Sequence, residues 1–329
     1  MIRLHKFDVR IPTSLPEAVE LLFHRGGNTK ILAGGTDLMV GMKQGTLQPT
    51  TLLWLGKVRE LQKLEFSEDE GLQIGAMCTL AEIESNEEVR HRFPALAKAI
   101  RSIASPQIRN RATVGGNLCL DTRCLFYDQS EFWRGSLGFC LKQGDGICHA
   151  APGLTKCAAV FCSDLAPLLI ALDARVEILN ARSRRSIRLR QLYVNNGVSH
   201  LNMEPTDLLA RITIPWDPAV RASHQKLRVR QSTDFPLANV GVAMSFDDRR
   251  QWRHATVIIG AIESAPIVIL EKSARSATNQ TPEQFITDLL EHITSQVHPL
   301  PTLNTPVSYR KNMVSVLVRR ALEEIFSSN

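Results

Sequence analysis

Six of the seven cysteines lie in one stretch of the chain, between Cys119 and Cys162. The inner four are Cys124, Cys140, Cys148 and Cys157. Four thiolates can saturate either a zinc ion or a [4Fe–4S] cluster. Structural zinc sites favour closely spaced CxxC pairs, and none occurs here. The wide spacing therefore favours a loop wrapped around a cluster, with a zinc staple as the open alternative.

The outer cysteines have a different interpretation. Cys119 follows the segment that ends at Asn117, and Cys162 precedes Ser163-Asp164. Both lie next to predicted structural segments, so we expect them to be buried as small apolar residues. Cys78 is remote from the others. The stretch between Cys119 and Phe161 has neither a helical nor a strand period, and an irregular segment of that length in a compact domain usually has a function.

Two segments pair adjacent glycines with hydroxyl or amide side chains. The first is Ala33-Gly34-Gly35-Thr36-Asp37, and the second is Thr113-Val114-Gly115-Gly116-Asn117. Adjacent glycines let backbone N–H groups approach a phosphate without a Cβ clash. Neither segment is a GxGxxG fingerprint or a P-loop, and either one alone could be a tight turn. Together they predict a clasp on a pyrophosphate.

Secondary-structure patterns place these segments at the ends of elements. A short strand, Lys30–Leu32, precedes the first segment, and Leu38–Lys43 follows it as a helix. Thr79 has the character of a helix N-cap, and Ser163-Asp164 precedes an apolar helix. The pattern changes near Lys226, where strands and two long helices predict a separate α+β domain.

Bulk composition is that of a globular protein: 329 residues, 44 % hydrophobic and 22 % charged. The net charge is +6, and much of the basic excess is local to a predicted hairpin that contains Arg182, Arg184, Arg185, Arg188 and Arg190. That hairpin has either a solvated face or a docking patch for an acidic partner. Aromatic residues do not interleave with it, which argues against nucleic acid. No secretory signal or membrane span is apparent, so we expect a cytoplasmic protein.

A family resemblance runs through nearly the whole chain. The segment from Lys30 to Leu38 resembles the first FAD motif in flavin subunits of the xanthine dehydrogenase and carbon monoxide dehydrogenase family of molybdenum enzymes. Further motifs of that family follow in the same order. They are Ile74-Gly75-Ala76 with Thr79-Leu80, Pro106 to Asn117, Ser163 to Pro167, Lys226 to Phe235, and Tyr309 to Leu322.

The resemblance implies an α+β fold with two FAD-binding subdomains, of the vanillyl-alcohol-oxidase (PCMH) type, and a smaller CO-dehydrogenase-flavoprotein C-terminal domain. We expect an FAD-binding domain at 1–220, divided at about 56/57 with an insert at about 120–160, and a C-terminal domain at 221–329. The expected FAD contacts are Lys30, Ile31, Leu32, Ala33, Gly34, Gly35, Thr36, Asp37, Leu38, Ala76, Thr79, Thr113, Gly115, Gly116, Asn117, Asp164 and Lys226.

The resemblance also assigns roles to two charged residues. Asp164 would accept hydrogen bonds from the adenosine ribose, or else cap the following helix. Lys226 would reach the flavin, or else be a solvated surface lysine. No catalytic residue for an organic substrate is expected in this chain, because no Ser/His/Asp arrangement and no HExxH motif is present.

The cysteine insert itself resembles that of 4-hydroxybenzoyl-CoA reductases. This implies a flow of electrons from ferredoxin through a [4Fe–4S] cluster, FAD and [2Fe–2S] centres to molybdenum. It also implies a large molybdenum subunit, a small [2Fe–2S] subunit and an (αβγ)2 heterohexamer. Two alternatives stay open: the flavin subunit of a xanthine or aldehyde dehydrogenase, and a basic binding module stapled by zinc.

Overall fold

The computed structural model describes residues 4–144, 146–230, 232–273, 281–300 and 305–327. The strands are β1 (Asp8–Arg10), β2 (Thr29–Leu32), β3 (Thr51–Trp54), β4 (Leu64–Ser67), β5 (Gly71–Gly75), β6 (Arg175–Leu179), β7 (Arg184–Arg188), β8 (Leu208–Ile214), β9 (Val220–Leu227), β10 (Ala238–Phe246), β11 (Trp252–Gly260) and β12 (Ile267–Ser273). The helices are α1 (Leu15–Arg25), α2 (Leu38–Gln44), α3 (Leu80–Ser85), α4 (Glu87–Arg92), α5 (Pro94–Arg101), α6 (Pro106–Arg109), α7 (Val114–Leu118), α8 (Glu131–Leu137), α9 (Ala166–Ala171), α10 (Pro282–Gln296) and α11 (Val307–Ser327).

The N-terminal layer is a small parallel sheet in the order β1-β3-β2. Its parallel strands are connected through α1 and α2, as parallel pairing requires. Ala18 and Leu22 of α1 lie in one apolar core with Leu53 of β3. This layer therefore holds the end of β2, where the first glycine segment begins.

The second layer is an antiparallel sheet in the order β4-β5-β8-β6-β7. The predicted arginine hairpin is confirmed as the β6–β7 pair. Helices α3, α4, α5, α7 and α9 contribute to the core of this layer, in which Ile83, Ile100 and Leu169 are fully buried. The second glycine segment lies inside this core at α7, so its position is set by packing on both sides.

The arginines of the β6–β7 hairpin are paired with acidic side chains of the same chain. Their contacts are Arg184 with Glu177, Arg185 with Asp207, Arg188 with Asp173, and Arg190 with Glu271. Arg182 lies over the ring of Phe23. The hairpin charge is thus largely balanced within the chain, which favours the interpretation as a solvated face.

The C-terminal layer is an antiparallel sheet in the order β12-β11-β10-β9, with α10 and α11 packed on one side. Helix α9 of the second layer packs against the sheet at β10. A Cβ at Gly241 would lie 2.4 Å from the backbone nitrogen of Leu168, so only glycine permits this approach. The second and third layers therefore meet backbone to backbone.

In its described residues, the cysteine insert contains the short helix α8 and a 3-10 turn at Leu141–Gln143, and the rest is irregular backbone. Its two ends are joined by a reciprocal pair of backbone hydrogen bonds between Arg123 and Val160, of 2.7 and 2.8 Å. Ser264 Oγ donates to Ala159 O at 2.7 Å, which fastens the returning end to the C-terminal domain. The insert is closed at its base and anchored to the layers around it.

Candidate functional site

The first glycine segment forms the turn between β2 and α2. Gly35 has φ of 74°, a left-handed conformation that favours glycine. Asp37 is the N-cap of α2, but its side chain makes no capping hydrogen bond. Thr36 is exposed, and Lys30 is exposed on the preceding strand. The turn therefore exposes backbone and polar side chains where β2 ends and α2 begins.

The second glycine segment is the first turn of a helix rather than a loop. Thr113 is the N-cap of α7, and its hydroxyl accepts a hydrogen bond from Gly116 N at 3.1 Å. Gly115 N donates to Ala76 O at 2.9 Å, and Thr79 pairs with Thr113 in an isolated bridge. Ala76 and Thr79 therefore lie beside the second segment.

The two glycine segments face each other. A Cβ at Gly34 would lie 1.8 Å from Arg111 O, so the first segment touches the backbone just before the second. A Cβ at Gly116 would lie 4.0 Å from Ala33 Cβ. Side chains at these positions would fill the space between the segments. This cradle of bare backbone fits the pyrophosphate of a dinucleotide.

Asn117 has a structural role that the sequence did not predict. Its Oδ1 accepts hydrogen bonds from Ser163 Oγ at 2.8 Å and from Leu165 N at 3.3 Å. Asn117 is buried, and so are both donors. The amide thereby joins the second glycine segment to the segment that carries Asp164.

Asp164 and Lys226 form a buried ion pair. Lys226 Nζ lies 2.8 Å from Asp164 Oδ1, and it also donates to Asp234 O at 3.0 Å. Despite the short distance, Oδ1 has no donor aligned to it as a hydrogen bond. Burial raises the pKa of Asp164 to about 6, and the nearby Lys226 acts in the opposite direction. An incompletely satisfied buried carboxylate fits a site that receives polar groups of a cofactor.

A buried histidine completes the surroundings of Asp164. His224 Nε2 lies 3.1 Å from the backbone oxygen of Asp164, and Asn239 Nδ2 donates to the same oxygen at 3.2 Å. Burial lowers the pKa of His224 to about 3, and the charge of Lys226 adds to this effect. His224 is therefore neutral at physiological pH. Its place on β9, two residues before Lys226, was the available sequence signal, and we missed it.

The four inner cysteines lie in one region of the insert. Cys140, Cys148 and Cys157 are buried, and Cys124 is partly exposed. Cys157 interacts electrostatically with Cys148 and Cys140, and Cys124 interacts with Cys157. Across the described residues, no three His, Cys, Asp or Glu side chains are close enough together to hold a single metal ion. Four cysteine thiols are a donor set that suits either zinc or an iron–sulfur cluster.

Burial acts on the outer cysteines in the same direction as on Cys124 and Cys157, whose pKa values it also raises. Burial raises the pKa of Cys119 and Cys162 to about 12 and that of Cys78 to about 11. Thiols in such surroundings stay protonated at neutral pH, whereas metal ligation needs the thiolate. Their surroundings suit the apolar role that the sequence predicted for Cys119 and Cys162.

The insert contacts the first glycine segment directly, which sequence reasoning missed. Arg123, the residue before Cys124, forms an ion pair with Asp37. Its guanidinium group lies 4.8 Å from the ring centroid of Phe235 in the C-terminal domain. Tyr127 donates from its hydroxyl to Thr46 O at 3.3 Å, just after α2. The available signal was a charged residue directly beside Cys124.

Comparisons with known proteins agree with this geometry. Residues 5–217 match the family model described as FAD binding domain in molybdopterin dehydrogenase, and residues 223–325 match the CO dehydrogenase flavoprotein C-terminal domain. The chain belongs to the family of FAD-binding subunits of molybdenum hydroxylases. It is thus a flavoprotein subunit of an oxidoreductase, and the resemblance seen in the sequence is confirmed at this level.

Individual relatives show the range of the family. The chain is 33 % identical to the aldehyde oxidoreductase FAD-binding subunit PaoB of Escherichia coli over 70 % of this chain and 76 % of that protein. It is 24 % identical to the glyceraldehyde dehydrogenase medium chain of Sulfolobus acidocaldarius over 95 % of both. A chain of the Cu,Mo-CO dehydrogenase structure superposes with a TM-score of 0.78 at 22 % identity, covering 99 % of this chain and 100 % of that one.

That superposition confirms the predicted fold, which is two FAD-binding layers followed by a CO-dehydrogenase-type C-terminal domain. In the part of the chain that the structure describes, no helix has the length and apolar character needed to cross a membrane.

Proposed function

We propose that this FAD-binding subunit carries a second redox centre, a [4Fe–4S] cluster held by the insert, and transfers electrons within a molybdenum enzyme. The observation that carries the proposal is the placement of the insert. Its four inner cysteines lie in a loop whose base forms an ion pair with the FAD segment through Arg123 and Asp37. A cluster in that loop would lie next to the flavin site.

For FAD, the proposed contacts follow from the cradle between the two glycine segments. The backbone from Lys30 to Leu38 and the first turn of α7 would hold the pyrophosphate, with Ala76 and Thr79 beside them. Thr113, Gly115, Gly116 and Asn117 form the second side. Asp164 and Lys226 would bind polar groups of the cofactor where the second layer meets the C-terminal domain. We place the domain boundary at 220/221, between the two family matches.

For the cluster, the proposed ligands are Cys124, Cys140, Cys148 and Cys157. A [4Fe–4S] cluster transfers single electrons, and FAD can exchange one or two. This chain would bind both centres at a fixed separation, with Cys140, Cys148 and Cys157 buried from water.

For the whole assembly, we propose reductive dehydroxylation of an aromatic CoA thioester, as in 4-hydroxybenzoyl-CoA reductase. Electrons would run from ferredoxin to the cluster, to FAD, to [2Fe–2S] centres and to molybdenum. The partners would be a large molybdenum subunit and a small [2Fe–2S] subunit in an (αβγ)2 heterohexamer. The similarity of the insert to that enzyme's insert supports this choice.

A second candidate is an aldehyde or xanthine dehydrogenase type of hydroxylase, in which electrons leave molybdenum through this subunit. Its support is the 33 % identity to the aldehyde oxidoreductase subunit PaoB. Substrate oxidation and reduction assays on the purified assembly separate the two. Reduction of 4-hydroxybenzoyl-CoA by a low-potential donor supports the first candidate. Aldehyde oxidation without that activity supports the second.

A cysteine-to-serine series tests the cluster. Each change at Cys124, Cys140, Cys148 and Cys157 should reduce iron content and the broad visible iron–sulfur absorption, while FAD remains bound. The same change at Cys78, Cys119 or Cys162 is the matched control and should leave iron unchanged. Full iron content in all four inner variants would refute the ligand assignment. Stoichiometric zinc in a protein that lacks the iron–sulfur absorption would favour the zinc staple.

A further inference from the structure

Lys142 lies in the insert with its ammonium group buried. Its side chain is only 6 % exposed, yet Nζ lies 2.8 Å from Asp121 Oδ1. Nζ also donates to Thr122 O at 3.1 Å, to Thr122 Oγ1 at 2.5 Å and to Gly197 O at 3.1 Å. The ring centroid of Tyr127 is 5.2 Å from the same nitrogen. An ammonium with several acceptors and an aromatic face is fixed in position.

The charge of Lys142 faces two carboxylates, Asp121 at hydrogen-bond distance and Asp128 at longer range. Asp121 is the carboxylate that pairs with it, and the Asp121 side chain is 41 % exposed, so water screens that charge. The three other acceptors are neutral oxygens. Burying a cation costs free energy that an apolar side chain of similar length would avoid. The hydrogen bonds to Thr122 and Gly197 offset part of that cost and fix the ammonium in place.

The ammonium connects the segments that carry the cysteines. Asp121 and Thr122 lead into Cys124, and Lys142 itself follows Cys140 by two residues. Gly197, whose oxygen accepts from Nζ, donates its own N–H to Cys157 O at 2.9 Å. Three of the four cysteine segments are therefore tied to one nitrogen atom.

The ammonium is also held close to a cysteine. A Cβ at Gly197 would lie 2.8 Å from Cys157 Sγ, so the residue whose oxygen accepts from Lys142 Nζ packs against that sulfur. The positive charge is thus fixed beside the cysteine segments.

We propose that Lys142 is a positioning residue for the cluster, which holds the cysteine segments in register and supplies a positive charge that favours the reduced cluster. The inference rests on the proposed function. When one electron enters, a thiolate-bound cluster gains one negative charge and no bond forms or breaks. A fixed cation nearby stabilises the more negative state, so Lys142 raises the reduction potential.

The test compares Lys142→Met with Lys142→Arg in the assembled holoenzyme. Lys156→Met, an exposed lysine of the same insert, is the matched control. The readouts are iron content and the midpoint potential of the cluster in an EPR-monitored redox titration. In Lys142→Met, the ratio of reduced to oxidised cluster at a fixed poise should fall about tenfold, which is ~59 mV for one electron. Lys142→Arg and Lys156→Met should stay near the wild type.

Each outcome decides the inference. Loss of iron in Lys142→Met with retention in Lys142→Arg also supports it, because the arginine keeps the charge and its hydrogen bonds. An unchanged potential with full iron in Lys142→Met overturns it. Loss of iron in both variants overturns the role of the charge. Wild-type holoenzyme without iron refutes the proposed function itself and removes the inference with it, a result distinct from all the others.

Discussion

Lys226 Nζ lies 2.8 Å from Asp164 Oδ1, and the two side chains are 3 % and 6 % exposed. Asp164 precedes α9 in the second layer, and Lys226 belongs to β9 of the C-terminal sheet. The pair therefore joins two layers at the proposed flavin site. Neither charge has free access to water, so each depends on the other for stabilisation.

Breaking this pair should destabilise the protein. Asp164→Asn leaves a buried ammonium, and we expect the free energy of unfolding to fall by about 3 kcal/mol. Lys226→Met should cost less, because Asp164, with a pKa of about 6, can accept a proton once its counterion is gone. The double variant should lose less than the sum of the single variants. Urea unfolding measures the stability of the two single variants and the double variant, and the exposed Lys57→Met is the control. Stability losses of the single variants that add up to the loss of the double variant would contradict an interaction between Asp164 and Lys226.

Stability should depend on pH through Asp164 and His224 with opposite signs. The folded pKa of Asp164 is raised to about 6, so its stabilisation is full below its unfolded pKa of 3.8 and is lost as pH rises through 6. The folded pKa of His224 is lowered to about 3, so its contribution is full above 6.5 and is lost as pH falls. Between pH 4 and 6 the two effects oppose each other.

Replacing either Asp164 or His224 removes its contribution to the pH dependence and leaves that of the other residue. Relative to the wild type, Asp164→Asn should gain stability as pH rises from 4 to 6, by at most about 1.4 kcal/mol per pH unit. His224→Gln should lose stability, relative to the wild type, over the same interval. Urea midpoints measured at several pH values check both slopes. Parallel profiles for both variants and the wild type would show that neither group titrates as its burial requires.

Gly34→Ala should abolish tight FAD binding. A Cβ at this position would lie 1.8 Å from Arg111 O, a backbone atom that cannot move away cheaply, so the two glycine segments would separate. FAD content after purification and a fluorescence titration with FAD measure the loss. Gly135→Ala in α8 is the matched control, because no atom lies within 4 Å of the added Cβ. Normal flavin content in Gly34→Ala would exclude the cradle as the binding site.

Arg123→Met should weaken FAD binding by about tenfold. Arg123 neutralises Asp37 beside the proposed phosphate cradle, and a bare carboxylate there would repel a pyrophosphate. Fluorescence titration at low and high salt should show the defect shrinking as salt rises. The double variant Asp37→Asn with Arg123→Met should recover part of the affinity. The exposed Arg59→Met serves as control, and equal affinity of Arg123→Met and wild type would rule out this role.

Much of the fold could be predicted from the sequence because its signals are local. Thr79 was recognised as an N-cap, and the structure shows a full capping box with Glu82. The β6–β7 hairpin followed from two apolar runs around a polar turn. The second glycine segment was less clear, since two adjacent glycines resemble a loop although Thr113 caps a helix there. A capped turn of helix and a phosphate loop have the same short sequence pattern.

The sequence by itself determined the flavin family and the group of four inner cysteines, because ordered motifs and spacing are properties of the chain. The tertiary structure decided which residues meet: Asp164 with Lys226, Arg123 with Asp37, and Lys142 with Gly197. These partners are separated by dozens of residues along the chain. Each contact forms only because sheets and helices bring distant segments together around a charged side chain, and the cost of burying that charge selects a polar or oppositely charged partner.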